Sequence, residues 1–167
     1  MRYRLDVIAP SVVETVQCAG GWLFDRAMAG WDVTVLVDGN GYDPLPLQIL
    51  GAEVIDLEDA VNTDARPRPD ALAVAADVYG RDSRVEQGVR LALDSGRTEV
   101  TLWGQAWPAE LESTGSVEHR LSVAARAFKA RALAAAARPV ESIAAVEVFR
   151  TGTHSCCPIA ADLVPAS

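Results

Sequence analysis

The sequence predicts an α/β fold, a three-layer Rossmann-like domain with a mostly parallel sheet of five or six strands. Residues 33–37 are mostly apolar on both faces of a strand, which is typical of a central parallel strand covered by helices. Residues 71–103 carry a strand, a helix and a second strand in succession, so a right-handed crossover would make these two strands parallel. With 167 residues, half of them apolar, the chain can bury one complete core.

The first predicted elements are a strand over residues 5–9 and a long helix. Proline ends the strand, and Ser11 and Glu14 have the spacing of a capping box. A helix is therefore expected over residues 12–29, before a glycine that can adopt the left-handed conformation of a helix stop. The strand over residues 33–37 follows directly.

Two glycines and a bulky apolar patch lie inside that helix. Gly20 and Gly21 would each cost about 1 kcal/mol relative to alanine, so we expect a close approach of another segment there, or a break in the helix. Three large apolar residues follow at positions 22–24, and they cannot all face one core on a 3.6-residue period. Trp22 and Phe24 are therefore candidates for a subunit contact.

The next segment predicts a short helix, an edge strand and a solvated connection. Asp43 followed by proline has the form of a helix start, and a helix over residues 44–50 ends at glycine. Residues 52–57 alternate in polarity, as expected for a strand near the sheet edge. Residues 58–70 have no periodic apolar signal and predict an irregular connection.

A β-α-β unit follows. Residues 71–79 form a continuous, mostly apolar run that predicts a buried strand, Ser83 and Glu86 form a second capping box, and residues 99–103 predict the returning strand. The strand order expected from right-handed crossovers is 3-2-1-4-5. The switch point of the sheet would then lie between the carboxyl ends of the first and fourth strands.

The C-terminal part predicts one more helix and one more strand. Ser116 can cap a helix that runs to about residue 137, with the stem of Lys129 beside its buried face. Residues 143–149 predict a sixth strand with Glu147 facing outward. We expect one α/β domain over residues 1–150 and a C-terminal tail over residues 151–167.

The composition limits the partners and the location of the protein. A formal net charge of −8 disfavours nucleic acid and anionic membrane surfaces, since both attract positive proteins. The N-terminus has no secretory signal pattern, no apolar run is long enough to span a membrane, and three cysteines cannot form a disulfide framework. We therefore expect a cytoplasmic protein.

Candidate ligand-binding residues come from the fold class, because ligands of open α/β sheets gather at the carboxyl ends of the strands. Polar residues that follow the predicted strands or precede their helices are Ser11, Asp38, Asn40, Asp77, Tyr79 and Gln105. Their types suit a small polar ligand such as a nucleotide or a sugar nucleotide. The cofactor is unknown at this stage.

The usual catalytic and cofactor motifs are absent. The turn after the first strand has no glycine for a dinucleotide pyrophosphate, and neither a P-loop nor a nucleophile elbow occurs. A phosphorelay receiver needs acids grouped at the strand ends, which this first strand lacks. The leading hypothesis is a non-catalytic regulatory or assembly module that self-associates through exposed aromatics such as Trp22, Phe24 or Trp107. The alternative is an enzyme or sensor that binds its small ligand at the strand ends.

A second alternative is a thiol or metal protein. His154, Cys156 and Cys157 are three soft donors within four positions. Adjacent cysteines chelate zinc poorly, because its ligands are usually two to four residues apart. An incidental cysteine pair is the default interpretation.

Overall fold

The protein is a mixed α/β fold with an eight-stranded sheet in the computed structural model, which describes residues 2–63, 66–105, 107, 115–152 and 162–166. The strands of this described part are β1 Arg4–Ala9, β2 Asp32–Val37, β3 Glu53–Asp56, β4 Ala71–Ala75, β5 Glu99–Trp103, β6 Ser116–Arg120, β7 Val146–Thr151 and β8 Val164–Pro165. Their order across the sheet is β3-β2-β1-β4-β5-β7-β6-β8.

The helices of the described residues are α1 Val12–Met28, α2 Leu45–Ile49, α3 Leu57–Val61, α4 Ala76–Arg81, α5 Ser83–Ser95 and α6 Val123–Ala135. The Ser11 hydroxyl accepts a hydrogen bond from the Glu14 amide at 3.1 Å, as the first capping box predicts. At α5 the cap is Asp82, whose carboxylate accepts from the Arg84 amide, one residue before the predicted Ser83.

Strands β1 to β5 form the parallel half of the sheet, in the predicted order 3-2-1-4-5. Strand β1 lies between β2 and β4, and Val7 in its middle pairs with Val35 and Ala73. All five residues of β4 are buried, as are those of β5. Burial on both faces explains their continuous apolar runs.

The expectation of five or six strands is wrong, because three antiparallel strands extend the sheet beyond β5. Residues 116–120 form β6 and not the start of a helix; they pair along their whole length with β7. Helix α6 begins later, where the Ser122 hydroxyl accepts from the Ala125 amide at 3.0 Å. Within the expected tail, the two-residue strand β8 pairs with β6.

Two local predictions also need correction. Residues 76–79, expected at the end of a strand, form the first turn of α4. Residues 57–61, at the start of the expected irregular connection, form α3, which the Asp56 carboxylate caps by accepting from the Glu58 amide. A short apolar run does not distinguish a strand from a buried helical turn, and one-turn helices are too short to show a period.

The paired glycines of α1 lie where the C-terminal half packs closely. A Cβ atom on Gly21 would be 2.2 Å from Leu121 Cδ2, and one on Gly20 would be 3.2 Å from Leu50 Cδ1. The predicted close approach is therefore confirmed. It brings the segment between β6 and α6 onto the backbone of α1.

A buried ion pair joins α1, α6 and β7 at the same place. Lys129 Nζ lies 2.6 Å from Glu147 Oε2 and donates to the Gln17 carbonyl at 2.8 Å. The amides of Gly21 and Trp22 donate to the Glu147 carboxylate at 2.9 and 2.7 Å. The expectation that Glu147 faces outward is wrong, since its carboxylate satisfies the backbone of α1 and its charge is balanced by Lys129.

A second buried cation lies nearer the C-terminal end of α1. Arg26 forms two hydrogen bonds with the Asp162 carboxylate, at 2.7 and 2.9 Å, and one with Glu99 at 2.9 Å. Its guanidinium is 4.8 Å from the ring centre of Trp22 and 4.2 Å from that of Trp31. Arg26 therefore joins α1 to β5 and to the segment before β8.

The predicted exposed aromatics are in the core. Trp22 is 0%, Phe24 6% and Trp107 5% exposed. Trp22 packs on Phe149 of β7 and Phe24 stacks on Phe128 of α6, which the sequence period of α1 alone does not reveal. They cannot supply the surface proposed for self-association.

The substitution Gly21→Ala is expected to destabilise the protein by about 1–3 kcal/mol, because the added methyl group overlaps Leu121. Chemical denaturation measures this loss. Combining Gly21→Ala with Leu121→Ala should recover part of the loss relative to the sum of the two single changes. Strictly additive losses would mean that the two side chains do not compete for one space.

The substitution Asp162→Asn is expected to destabilise the protein by about 3 kcal/mol at neutral pH, because it removes a charge partner from buried Arg26. Burial acts to raise the pKa of Asp162, but the hydrogen bonds and charge of Arg26 outweigh it, so the pKa is lowered from 3.8. The carboxylate therefore contributes stability above pH 3.8 that is lost as the pH falls through its lowered pKa.

Urea denaturation of both proteins at pH 7 and at successively lower pH tests this account. The difference between wild type and Asp162→Asn should shrink as the pH falls below 3.8. A difference that stays constant with pH would contradict a charge-based role.

Candidate functional site

A polar cavity of about 290 Å³ opens at the carboxyl ends of the parallel strands. It lies at the end of β4 and β5, beside the first turn of α1, where the sequence predicts the switch point of the sheet. Its described lining consists of Glu14, Ala75, Ala76, Asp77, Trp103, Gly104 and Gln105.

Three strand-to-helix or strand-to-loop turns position the lining residues. The turn after β1 leads to the cap of α1 and places Glu14 in the first turn of that helix. Strand β4 runs directly into α4, so Asp77 follows one residue after the helix starts. After β5, Gly104 has a φ of +101°, and a Cβ atom there would lie 3.2 Å from the Cβ atom of Ala76. Glycine thus lets the β5 turn close one side of the cavity.

Glu14 lies near a second acid, Asp77, and its own pKa is raised. Burial raises the pKa of Glu14, and the nearby charge of Asp77 raises it further. The indole N–H of Trp103 and the charge of Arg81 act in the opposite direction but do not cancel the increase. The Glu14 carboxyl is thereby suited to holding and releasing a proton.

Two polar atoms beside the cavity have no hydrogen-bond partner among the residues that the structure describes. They are Glu14 Oε2 and the indole nitrogen of Trp103, a residue only 3% exposed. The Trp103 N–H lies near enough to Glu14 to influence its pKa, without the geometry of a hydrogen bond. A bound water or a ligand in the cavity could satisfy both groups.

The structure brings two of the six predicted ligand residues into this cavity, Asp77 and Gln105. Ser11 is outside the described lining, and its hydroxyl caps the helix that carries Glu14. Asp38 forms an ion pair with Arg81 at 2.9 Å, and Arg81 influences Glu14 in turn. The two remaining residues are not in the lining: Asn40 is exposed in its loop, and Tyr79 is buried against Trp107.

Sequence reasoning missed Glu14 and Trp103 as site residues. Glu14 was assigned to a capping box, although a first-turn acid beside the switch point could have been a candidate. Trp103 is the last residue of a buried strand, and nothing in an apolar run indicates where its N–H points.

Another cluster contains the residue types of a catalytic triad without its connectivity. His119 Nε2 lies 2.7 Å from Asp25 Oδ2, and its Nδ1 is 2.9 Å from the Asp162 carbonyl oxygen. The Ser122 hydroxyl bonds to Asp25 and not to His119, and it caps α6. Because the hydroxyl donates to the Asp25 carboxylate and His119 does not contact it, the order of a Ser-His-Asp triad is missing, and the cluster is a structural connection between α1, β6 and α6.

The proposed metal and thiol residues His154, Cys156 and Cys157 lie outside the described residues. Within the described part, no group of three or more His, Cys, Asp or Glu residues could hold a metal ion. In the described lining of the cavity, Glu14 and Asp77 are the two carboxylates. Cys18 is half-buried, and burial raises the pKa of its thiol, so it is a poor nucleophile.

None of the described helices combines the length and the apolar character that crossing a bilayer requires.

The substitution Glu14→Gln is expected to stabilise the protein at neutral pH. The raised pKa of Glu14 means that its contribution to stability is full below 4.5, its usual value, and is lost as the pH rises through the raised pKa. Above that pH the folded protein holds an unfavourable charge, which glutamine removes. Urea denaturation at pH 4 and pH 8 measures this, and the gain should appear only at pH 8. Destabilisation at pH 8 would contradict it.

Comparisons with known proteins bear on the fold. No family model matches the chain, and no curated protein sequence is significantly similar. Among solved structures, the chain is similar to the A40926 pseudoaglycone deacetylase Dbv21, with a TM-score of 0.61 and 16% identity over 90% of this chain and 97% of that one. A deacetylase–teicoplanin complex gives 0.58 and 11%, covering 98% and 99%. The zinc-inhibited form of the teicoplanin deacetylase Orf2 gives 0.51 and 13%, covering 78% and 82%.

At this identity the likeness shows the fold alone. The leading hypothesis of a non-catalytic regulatory or assembly module is nevertheless contradicted, because the structural neighbours are enzymes and its aromatic contact residues are buried. The chain therefore has a mixed α/β fold similar to that of these deacetylases.

Proposed function

We propose that the protein is an enzyme that performs acid–base chemistry on a small polar ligand bound at the carboxyl ends of the parallel strands. One observation carries the proposal: Glu14, Asp77 and the unpartnered indole N–H of Trp103 border one cavity at the switch point. Catalytic acids and bases need a pKa near the working pH, and the raised pKa of Glu14 is a shift in that direction.

The ligand class follows from the charges around the cavity. Two carboxyl groups and no basic residue belong to its described lining, so a phosphate group would be repelled. This weighs against nucleotides and sugar nucleotides within the ligand alternative. The remaining ligand class is neutral or cationic polar molecules. Their hydroxyl or amine groups would donate hydrogen bonds to the carboxylates and to the amide oxygen of Gln105.

The first reaction to test is the hydrolysis of an acetyl group, which is the reaction named for the structural neighbours. Glu14 would take a proton from the attacking water as the new bond to the acyl carbon forms. It would return the proton to the leaving oxygen or nitrogen as the old bond breaks, so the atoms balance. Trp103 would donate its N–H to a ligand acceptor, and Asp77 would keep Glu14 basic enough for this exchange.

A thermal-shift screen with acetylated and free amino sugars, neutral sugars and nucleotides tests binding, and acetate release tests the reaction. Glu14→Gln should abolish turnover with binding reduced less than about tenfold, while Asp77→Asn should weaken both. The matched control is Asp94→Asn, a change of the same type at an exposed residue of α5 outside the cavity.

Some results would overturn the proposal. If a ligand binds Glu14→Gln, Asp77→Asn and wild type with equal affinity, it does not occupy the Glu14 cavity, and the proposed site is wrong. A screen in which only nucleotides stabilise the protein would contradict the proposed ligand class, and acetate release that survives Glu14→Gln would contradict the role of Glu14.

A further inference from the structure

A second cavity, of about 590 Å³, lies between α3 and α5 over the parallel half of the sheet. It shares no described lining residue with the Glu14 cavity. Its size is within the range of small-molecule sites, and most of its wall is aliphatic. The sheet and the two helices contribute Ile8, Leu36, Leu72, Val61, Val85 and Val89.

A glycine inside a helix borders this cavity. Gly88 lies inside α5 and lines the cavity, and a Cβ atom at this position would meet nothing within 4 Å. Glycine is among the least favourable residues inside a helix. Its backbone angle is not in the left-handed region, so neither helix geometry nor a close neighbour requires glycine here.

Three arginines line the cavity, and they differ in whether an acid balances their charge. In the described lining the charged residues are Arg66, Arg68, Arg84 and Asp6. Arg66 is paired with Asp6 at 2.7 Å, and Arg84 is bonded to Glu58 and Asp82. Arg68 is exposed and has no ion pair within the described ranges.

We propose that this cavity binds a fatty-acid anion, with the aliphatic chain along the apolar wall and the carboxylate at Arg68. The apolar wall disfavours a sugar or another polar metabolite, because its hydroxyl groups would lose water without gaining partners. The charge of Arg68 favours an anionic head group over a cationic one. This site is independent of the acid–base function proposed above.

Calorimetric titration of the full chain with laurate tests the site. Wild type should bind laurate, and Gly88→Leu should weaken binding at least about tenfold, because the leucine side chain occupies the space of the aliphatic chain. The substitution replaces a poor helix former, so the variant should fold. Circular dichroism and thermal melting check this.

The matched control is Gly80→Leu. Gly80 is also helical and exposed, a Cβ atom there also meets nothing within 4 Å, and it does not line the cavity. This variant should bind laurate within about twofold of wild type. Equal binding by Gly88→Leu and wild type would overturn the proposed site, as would the absence of laurate binding by wild type up to the solubility limit.

The role of the arginine is tested with the uncharged analogue dodecanol. Arg68→Gln should weaken laurate about fivefold and leave dodecanol unchanged, since only the carboxylate interacts with the guanidinium. If Arg68→Gln weakens both ligands equally, or neither, the assignment of the carboxylate to Arg68 is wrong.

Discussion

The architecture depends on the ion pairs of two buried cations, one in α1 and one packed against it. Two cations with almost no exposure, Arg26 and Lys129, are each held by carboxylates from distant parts of the chain. A buried charge is tolerated only when its partner is in place, so these contacts demand one arrangement of the segments that supply them. The partners come from β5, β7 and the segment before β8. The antiparallel extension is thereby joined to the parallel core.

Helix α1 connects this structural network to the candidate site. Its middle and C-terminal turns contact the buried charges, while its first turn carries Glu14. Close packing at Gly21 and the carboxylate of Glu147 hold the helix axis against the sheet. A rigid helix is a suitable support for a group whose protonation matters, because small displacements of an acid or base reduce proton transfer. The packing of the buried charges and the position of Glu14 thus depend on the same helix.

The two cavities differ in polarity in a way that follows from their places on the sheet. The Glu14 cavity is at the strand ends, where turns bring polar side chains and backbone groups together. The larger cavity is over the sheet face, where the one-turn helix α3 leaves part of the aliphatic surface uncovered. A polar ligand suits the first and an aliphatic chain suits the second.

Local patterns predicted the parallel half well. The order of the first five strands and the capped start of α1 follow from apolar runs, glycine stops and Ser11, because these signals act within a few residues. Two of the residues predicted at the carboxyl ends of the strands, Asp77 and Gln105, line a cavity there.

The antiparallel half and the chemistry of the site depended on contacts between distant residues. Residues 116–120 became a strand because β7 pairs with them, and Glu147 points inward because it meets the α1 backbone and Lys129, 18 positions away along the chain. Likewise, the pKa of Glu14 depends on burial and on Asp77, 63 residues later in sequence. The sequence by itself determined the strands of the parallel half and the long helix α1, although not the short helices over residues 57–61 and 76–81. Only the tertiary structure decided which charges meet, because partner choice depends on distance in space and on the loss of water around both groups.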